Sequence, residues 1–187
     1  MRKGIEYSLD YFQKCFFKEA SFSVKPSIHW SDDEWYLAQE KRIFHVNSGW
    51  SVIQEGEAEG VSIGGNLCTL NLLQGTDYMP SLENSILFLE DDYLTFPANF
   101  DRDLQLLIQQ PGFDGVKGIL IGRFQCRSEM TDTLLKKIVA SKKELKGIPI
   151  LAYVNFGHTS PIFTFPIGGR VKMRAMNNGS SVDILQH

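Results

Sequence analysis

Ser85-Ile86-Leu87-Phe88-Leu89-Glu90-Asp91, Gly118-Ile119-Leu120-Ile121-Gly122 and Ile148-Pro149-Ile150-Leu151-Ala152-Tyr153-Val154 are three apolar runs. Each is short and apolar on both parities, the pattern of a strand covered on both faces. Between the first two, Asn99 or Asp101 is placed to cap a helix through Gln109, stopped by Pro111-Gly112. Between the second and third, residues 129–145 read as an amphipathic helix. Leu134, Leu135, Ile138 and Val139 face inward, and four lysines between 136 and 143 face outward. Strand, helix, strand, helix, strand from 85 to 154 predicts parallel strands joined by right-handed crossovers, a βαβαβ core.

Outward from that core the pattern changes. Trp50-Ser51-Val52-Ile53 is a short strand, with Gly56 and Gly60 punctuating a hairpin-like region. Gly64-Gly65 reads as a tight turn into a helix capped by Asn66 and stopped by Gly75. Beyond the core, 172–176 and 182–185 are closing strands around Asn177-Asn178-Gly179. The fold class is therefore α/β, a mixed sheet with a βαβαβ core and flanking β-hairpins. Residues 5–18 predict a helix with Ile5, Leu9, Phe12 and Phe16 on one face and Tyr7, Tyr11 and Phe17 off it. A helix apolar on more than one side wants more than one neighbour. Within residues 19–48, Phe22-Ser23-Val24-Lys25-Pro26 reads as extended; the stretch from Ile28 shows no clear strand or long helix, although Ser31 and Glu34 form a capping-box pattern for a short one. Such a segment is a linker or a functional loop.

The 187 residues are enough for one domain with a real core. A net charge of −3 offers no electrostatic case for nucleic acid or an anionic membrane. No apolar run approaches the roughly 20 residues of a bilayer span, and Met1-Arg2-Lys3-Gly4 lacks a signal-peptide stretch. Cys15, Cys68 and Cys126 have no metal-like spacing. They read as reduced, mostly buried thiols of a cytoplasmic protein. No cofactor is implied, and no metal site is expected.

The first and third apolar runs end on groups that carry protons, Glu90 and His158, the latter within Asn155-Phe156-Gly157-His158-Thr159. A carboxylate and an imidazole brought to one sheet edge are two thirds of a nucleophile–base–orienter set. Pattern alone leaves both open. Glu90 with Asp91 and Asp92 also reads as a solvated acidic turn or a magnesium or calcium ligand set, and His158 also reads as a structural loop residue. Gly64-Gly65-Asn66 either lets backbone approach an anionic ligand or simply turns the chain. Trp30 and Trp35 either stack on a flat ligand or pin the 19–48 segment to the core.

Taken in order, Ile63-Gly64-Gly65-Asn66-Leu67-Cys68-Thr69-Leu70, Leu73-Gln74-Gly75-Thr76-Asp77-Tyr78-Met79-Pro80, Ile86-Leu87-Phe88-Leu89-Glu90-Asp91 and Asn155-Phe156-Gly157-His158 form a distinctive set. Together they resemble the C-terminal half of the LD-carboxypeptidase / microcin C immunity family of serine peptidases. Trp30-Ser31-Asp32-Asp33-Glu34-Trp35 and Asn71-Leu72-Leu73-Gln74-Gly75-Thr76 look closer to the microcin immunity branch. The resemblance implies a Ser-Glu-His triad in which Glu90 orients His158. It further implies Asn66, Trp30 and Trp35 as substrate contacts, Trp30 and Trp35 by stacking on a nucleotide. The implied substrates are a murein LD-tetrapeptide or a peptidyl-nucleotide of the microcin C type.

The family's serine sits on a nucleophile elbow in a separate N-terminal domain, and no Gly-x-Ser-Asp elbow occurs in this sequence. The expected organisation follows: residues 1–18 are the last helix of an absent serine-bearing domain, 19–48 an interdomain linker and substrate loop, and 49–187 the C-terminal catalytic half-domain. On this reading the chain alone is inactive, and its uncovered apolar surface drives it to a homodimer. The alternative is a non-catalytic binding or assembly module that keeps the fold.

Overall fold

A computed structural model describes residues 4–34 and 36–187. Ten strands and four α-helices are described. One eight-stranded mixed sheet dominates, and its centre is the predicted core. Parallel strands β5 (Gly56–Asn66), β6 (Ser85–Glu90), β7 (Gly118–Gly122) and β8 (Ile150–Val154) lie side by side in that order. Helices α3 (Pro97–Ile108) and α4 (Asp132–Ala140) make the two crossovers expected from the rhythm. The parallel block is one strand larger than predicted, because β5 joins it through the short α2 (Leu67–Asn71).

That extra strand corrects the reading of the glycines. Gly56 and Gly60 do not bracket a hairpin: β5 runs unbroken through Gly60, Gly64 and Gly65. Gly60 and Gly64 serve close approach instead. A Cβ on Gly64 would lie 2.0 Å from the Phe88 carbonyl oxygen, and one on Gly60 2.4 Å from that of Asn84. β4 (Ser51–Gln54) is far from β5 in the sheet, pairing antiparallel with β8 at the opposite edge.

On the other flank, β9 (Arg170–Ala175) and β10 (Ser181–Gln186) form the expected closing hairpin, with β9 antiparallel to β5. Beyond them β1 (Phe22–Val24) pairs with β10, so part of the weakly patterned 19–48 segment belongs to the main sheet. The same segment contributes a two-strand ribbon, β2 (His29–Trp30) with β3 (His45–Val46). Among the described residues no helix starts at Ser31; the one short helical turn of the segment lies later, at Gln39–Lys41. The Ser31 hydroxyl accepts from the Asp33 amide in a local turn, and its backbone pairs with Ser160.

Strand alternation divides the core in two. Leu87, Leu89, Ile119, Ile121, Ile150 and Ala152 face α2, α3 and α4, meeting Leu67, Phe100, Leu104, Leu107, Leu135 and Val139. Ile86, Phe88, Leu120, Leu151 and Val154 face the other way, meeting Phe156, Phe163, Val171, Met173 and Tyr11. β8 interrupts the alternation: Tyr153 has φ of 60°, and the β7–β8 register shifts between Leu120 and Gly122.

The crossover helices differ from their sequence patterns, α3 by starting earlier and α4 by being shorter than 129–145. α3 starts two residues before Asn99 because Pro97 presets the first turn. α4 is capped by the Thr131 side chain, and Leu134, expected inward, is exposed. α1 (Ile5–Phe17) covers the sheet with Tyr11 and Cys15. The predicted apolar face, Ile5, Leu9, Phe12 and Phe16, lies open, with Phe16 64% exposed. Cys15 is buried, but Cys68 and Cys126 are exposed, against expectation, because α2 turns Leu67 and Leu70 rather than Cys68 inward and the turn at Cys126 buries Ser128 instead. No helix among the described residues is long and apolar enough to cross a membrane.

Gly64 and Gly65 provide an internal comparison. Gly64→Ala is expected to cost about 3 kcal/mol or more by forcing β5 off β6. Gly65, whose Cβ would meet nothing within 4 Å, has only its positive φ to lose, about 1–2 kcal/mol. Urea denaturation of the two variants reads the difference, and equal losses would refute the close-approach account.

Candidate active site

Glu90 ends β6 on the Phe88 face and is 8% exposed. Two glycines make its seat. A Cβ on Gly157 would come within 2.6 Å of Glu90 Oε2, and one on Gly122 within 2.8 Å of Glu90 Cβ. Gly157 also holds a φ of +96° that side-chain-bearing residues rarely adopt. Sequence reasoning assigned neither glycine a role in the site. The available signal was their position, one at the end of a buried strand and one directly before the histidine.

His158 sits on the loop after β8, with Nδ1 2.7 Å from Glu90 Oε2. The two predicted proton-carrying residues are thus in direct contact. The hydrogen bond to Glu90 raises the His158 pKa above its ordinary value, partly opposed by burial, with the charges of Glu90, Asp92 and Asp91 adding to the rise. Glu90 occupies Nδ1, which leaves Nε2 as the other proton-carrying atom of a half-exposed ring. Histidine tautomer follows from this contact: a carboxylate on Nδ1 favours the proton there and a basic Nε2.

The loop carrying His158 is held from both sides. Ser31 and Ser160 exchange backbone hydrogen bonds of 2.8 Å each way, and Arg42 donates to the Ser160 hydroxyl. Asn155, fully buried, accepts from Trp50 Nε1 at 3.2 Å and donates to the Ser27 hydroxyl at 2.8 Å. Ser27, Ser31, Arg42 and Trp50 are therefore structurally part of the site's wall.

Asn66 is opposite Glu90 in the parallel register. Its Oδ1 caps α2 by accepting from the Thr69 amide at 3.0 Å, and its Nδ2 donates to Asp91 Oδ1 at 3.1 Å. Nδ2 carries a second amide hydrogen besides the one given to Asp91. Trp30 stands to the side. Its ring centre lies 4.8 Å from that of His45 and 4.9 Å from the Arg123 guanidinium carbon, so the ring is already engaged. Arg123 was not anticipated. It is buried, donates to Asn47 Oδ1 at 2.7 Å, and burial pushes its pKa down to about 10. Trp35 lies outside the described residues.

The acidic run does not converge on a cation. Glu90 turns to His158, Asp91 to Asn66, and Asp92 accepts from the Leu94 amide at 2.8 Å. Asp91 is 2% exposed, and its Oδ2 is buried with no hydrogen-bond partner among the described residues. Burial pushes its pKa up to about 6, against hydrogen bonds from Thr95 and Asn66 that lower it.

That shift has a definite sign. A carboxyl whose folded pKa is raised binds more protons folded than unfolded, so stability falls as pH rises from about 4 to about 6. Asp91→Asn removes the penalty while keeping an acceptor for Asn66. Thermal melts are expected to show the variant a few degrees more stable than wild type at pH 8, with the gain shrinking toward pH 4. A gain independent of pH would refute this.

Comparison with known proteins places the chain. Residues 59–173 match the LD-carboxypeptidase C-terminal domain. YocD of Bacillus subtilis, provisionally named a carboxypeptidase, is 54% identical over 187 residues, all of this chain and 58% of that protein. The microcin self-immunity protein MccF of Escherichia coli is 29% identical over 160 residues, 83% of this chain and 44% of its own length. The crystal structure of an MccF-like protein from Bacillus anthracis superposes with a TM-score of 0.97 at 52% identity, covering 100% of this chain and 58% of that one. The chain thus spans about half the length of these relatives, from 44% to 58%. Family match and fold agree: this chain belongs to the LD-carboxypeptidase C-terminal domain family.

Proposed function

We propose that this chain supplies the base and its orienter to a serine-type carboxypeptidase with a Ser-Glu-His triad. The serine comes from the part of the longer relatives that this chain does not span. The observation that carries the reading is the 2.7 Å contact between a buried glutamate and the Nδ1 of a half-exposed histidine. His158 takes the serine proton on Nε2 as the hydroxyl attacks the scissile carbonyl, and returns it to the leaving amine. Glu90 holds the ring and stabilises the imidazolium formed in between.

For substrate we favour a peptidyl-nucleotide over a murein LD-tetrapeptide. Solved MccF structures hold aspartyl sulfamoyl adenosine and glutamyl sulfamoyl guanosine, and the MccF-like relative is 52% identical to this chain. Asn66 offers its remaining amide hydrogen to the substrate, and Trp30 a ring for the base once His45 or Arg123 yields it. The uncovered α1 face, Ile5, Leu9, Phe12 and Phe16, is where the serine-bearing domain packs. Without that cover the chain pairs with itself as a homodimer. Free thiols suit a reducing cytoplasm.

The experiment joins this chain to the serine-bearing region of a close relative and assays hydrolysis of an aminoacyl sulfamoyl adenosine. His158→Ala is expected to lower kcat by about 10⁴–10⁶, and the chain alone to be inert. Turnover by the chain alone that His158→Ala abolishes would overturn the missing-serine reading. The pH profile adds a second check. Because the Glu90 contact raises the His158 pKa, the acid limb of kcat/KM lies above the ordinary histidine value of about 6.5. Glu90→Gln is expected to move that limb down, besides costing about 10⁴ in kcat. An unmoved limb in an active Glu90→Gln variant would remove Glu90 from the role.

A further inference from the structure

Away from the Glu90–His158 pair, three unlike side chains meet that are distant in sequence. Asp32 follows β2, His45 lies on β3, and Cys126 lies in the turn after β7. One carboxylate oxygen, one ring nitrogen and one sulfur from them all lie within 4.8 Å of one another. The backbone prepares this meeting. β2 and β3 pair Trp30 with His45, and the two rings lie against each other, centroids 4.8 Å apart and planes tilted by 34°, which restricts the imidazole. Asp32 Oδ2 accepts from the Cys126 amide at 2.6 Å, which holds the carboxylate beside the Cys126 side chain. Asp33 tightens the same ribbon by accepting from the Ile43 amide at 2.5 Å.

We propose that Asp32, His45 and Cys126 form a binding site for a zinc-class divalent cation that fastens the 27–48 segment to the turn after β7. The donor set selects the metal. A thiolate and an imidazole favour a borderline-soft ion over magnesium or calcium, and a single carboxylate completes three of four tetrahedral positions. The fourth faces solvent, since His45 and Cys126 are exposed, and takes a water. Zn–N and Zn–S bonds of about 2.0 and 2.3 Å place ligand atoms about 3–4 Å apart. Side-chain rotation inward by about 1 Å from the present spacing closes the site. On binding, the sulfur–metal bond forms as the Cys126 thiol proton passes to buffer.

The cation acts as a clip. Ser31, next to Asp32, pairs with Ser160, two residues past His158. Fixing Asp32 and His45 to the Cys126 turn therefore steadies the Trp30-bearing wall without touching the proton-carrying pair.

Titration of the metal-free protein tests this with two ions. Co²⁺ is expected to bind at one equivalent with a near-ultraviolet thiolate-to-metal absorption band, and Zn²⁺, measured by competition with a chromophoric chelator, to displace it. Cys126→Ser should abolish the band and weaken Zn²⁺ at least tenfold, with His45→Gln weakening it comparably. Cys68→Ser, an exposed thiol elsewhere, should keep both. Zn²⁺ should also slow proteolytic cleavage within 31–45 in wild type and not in Cys126→Ser. Absence of the cobalt band, or unchanged Zn²⁺ affinity in both Cys126→Ser and His45→Gln, would overturn the proposal.

Discussion

A carboxylate as buried as that of Glu90 must be answered by a partner, because an unpaired buried charge is costly to hold. The partner is His158, and much of the surrounding structure follows from making that contact. Four parallel strands bring the end of β6 and the exit of β8 to one sheet edge, where open α/β sheets present their ligand-binding crevice. Gly122 and Gly157 clear the volume that the glutamate occupies. The Ser31–Ser160 pairing and the Asn155 network then hold the histidine loop down from the opposite side.

The two carboxylates that follow one another in sequence have unlike surroundings. Glu90 and Asp91 point to opposite faces of β6, as alternation requires. Glu90 meets an imidazole that welcomes its charge. Asp91 meets an asparagine, a threonine and apolar wall, with one oxygen left unanswered. Environment, not residue type, separates a carboxylate paired with a histidine from a carboxyl whose pKa burial pushes up to about 6.

The core and the pair were legible in the sequence for physical reasons. Runs such as Ile86–Leu89 and Gly118–Gly122 are apolar on both parities, which only a strand covered on both sides requires, and such strands deliver their last residues to one edge. Gly60 and Gly64 were misread because a glycine for close approach and a glycine for a turn look alike until the facing strand is known. The 19–48 segment was opaque because its order comes from distant partners: β1 leans on β10, Ser31 on Ser160, and Asp32 on Cys126. No local period encodes those contacts. Arg123 was missed for the same reason, its rings and acceptors being supplied by Trp30, Tyr153 and Asn47.

The irregularity at Tyr153 works as a parity correction. Ala152 and Tyr153 both turn toward the helices, where a regular strand would send one to each side, and Val154 and Phe156 then fall with Phe88 on the opposite side. A one-residue offset exchanges every later side chain between faces. Without it the chain would leave β8 with its outgoing loop biased to the Asp91 side of the sheet. With it, the loop emerges over Glu90. The positive φ at Tyr153, a strain of order 1–3 kcal/mol in a residue with a bulky side chain, is thus the local cost of delivering His158 to the correct one of two adjacent carboxylates.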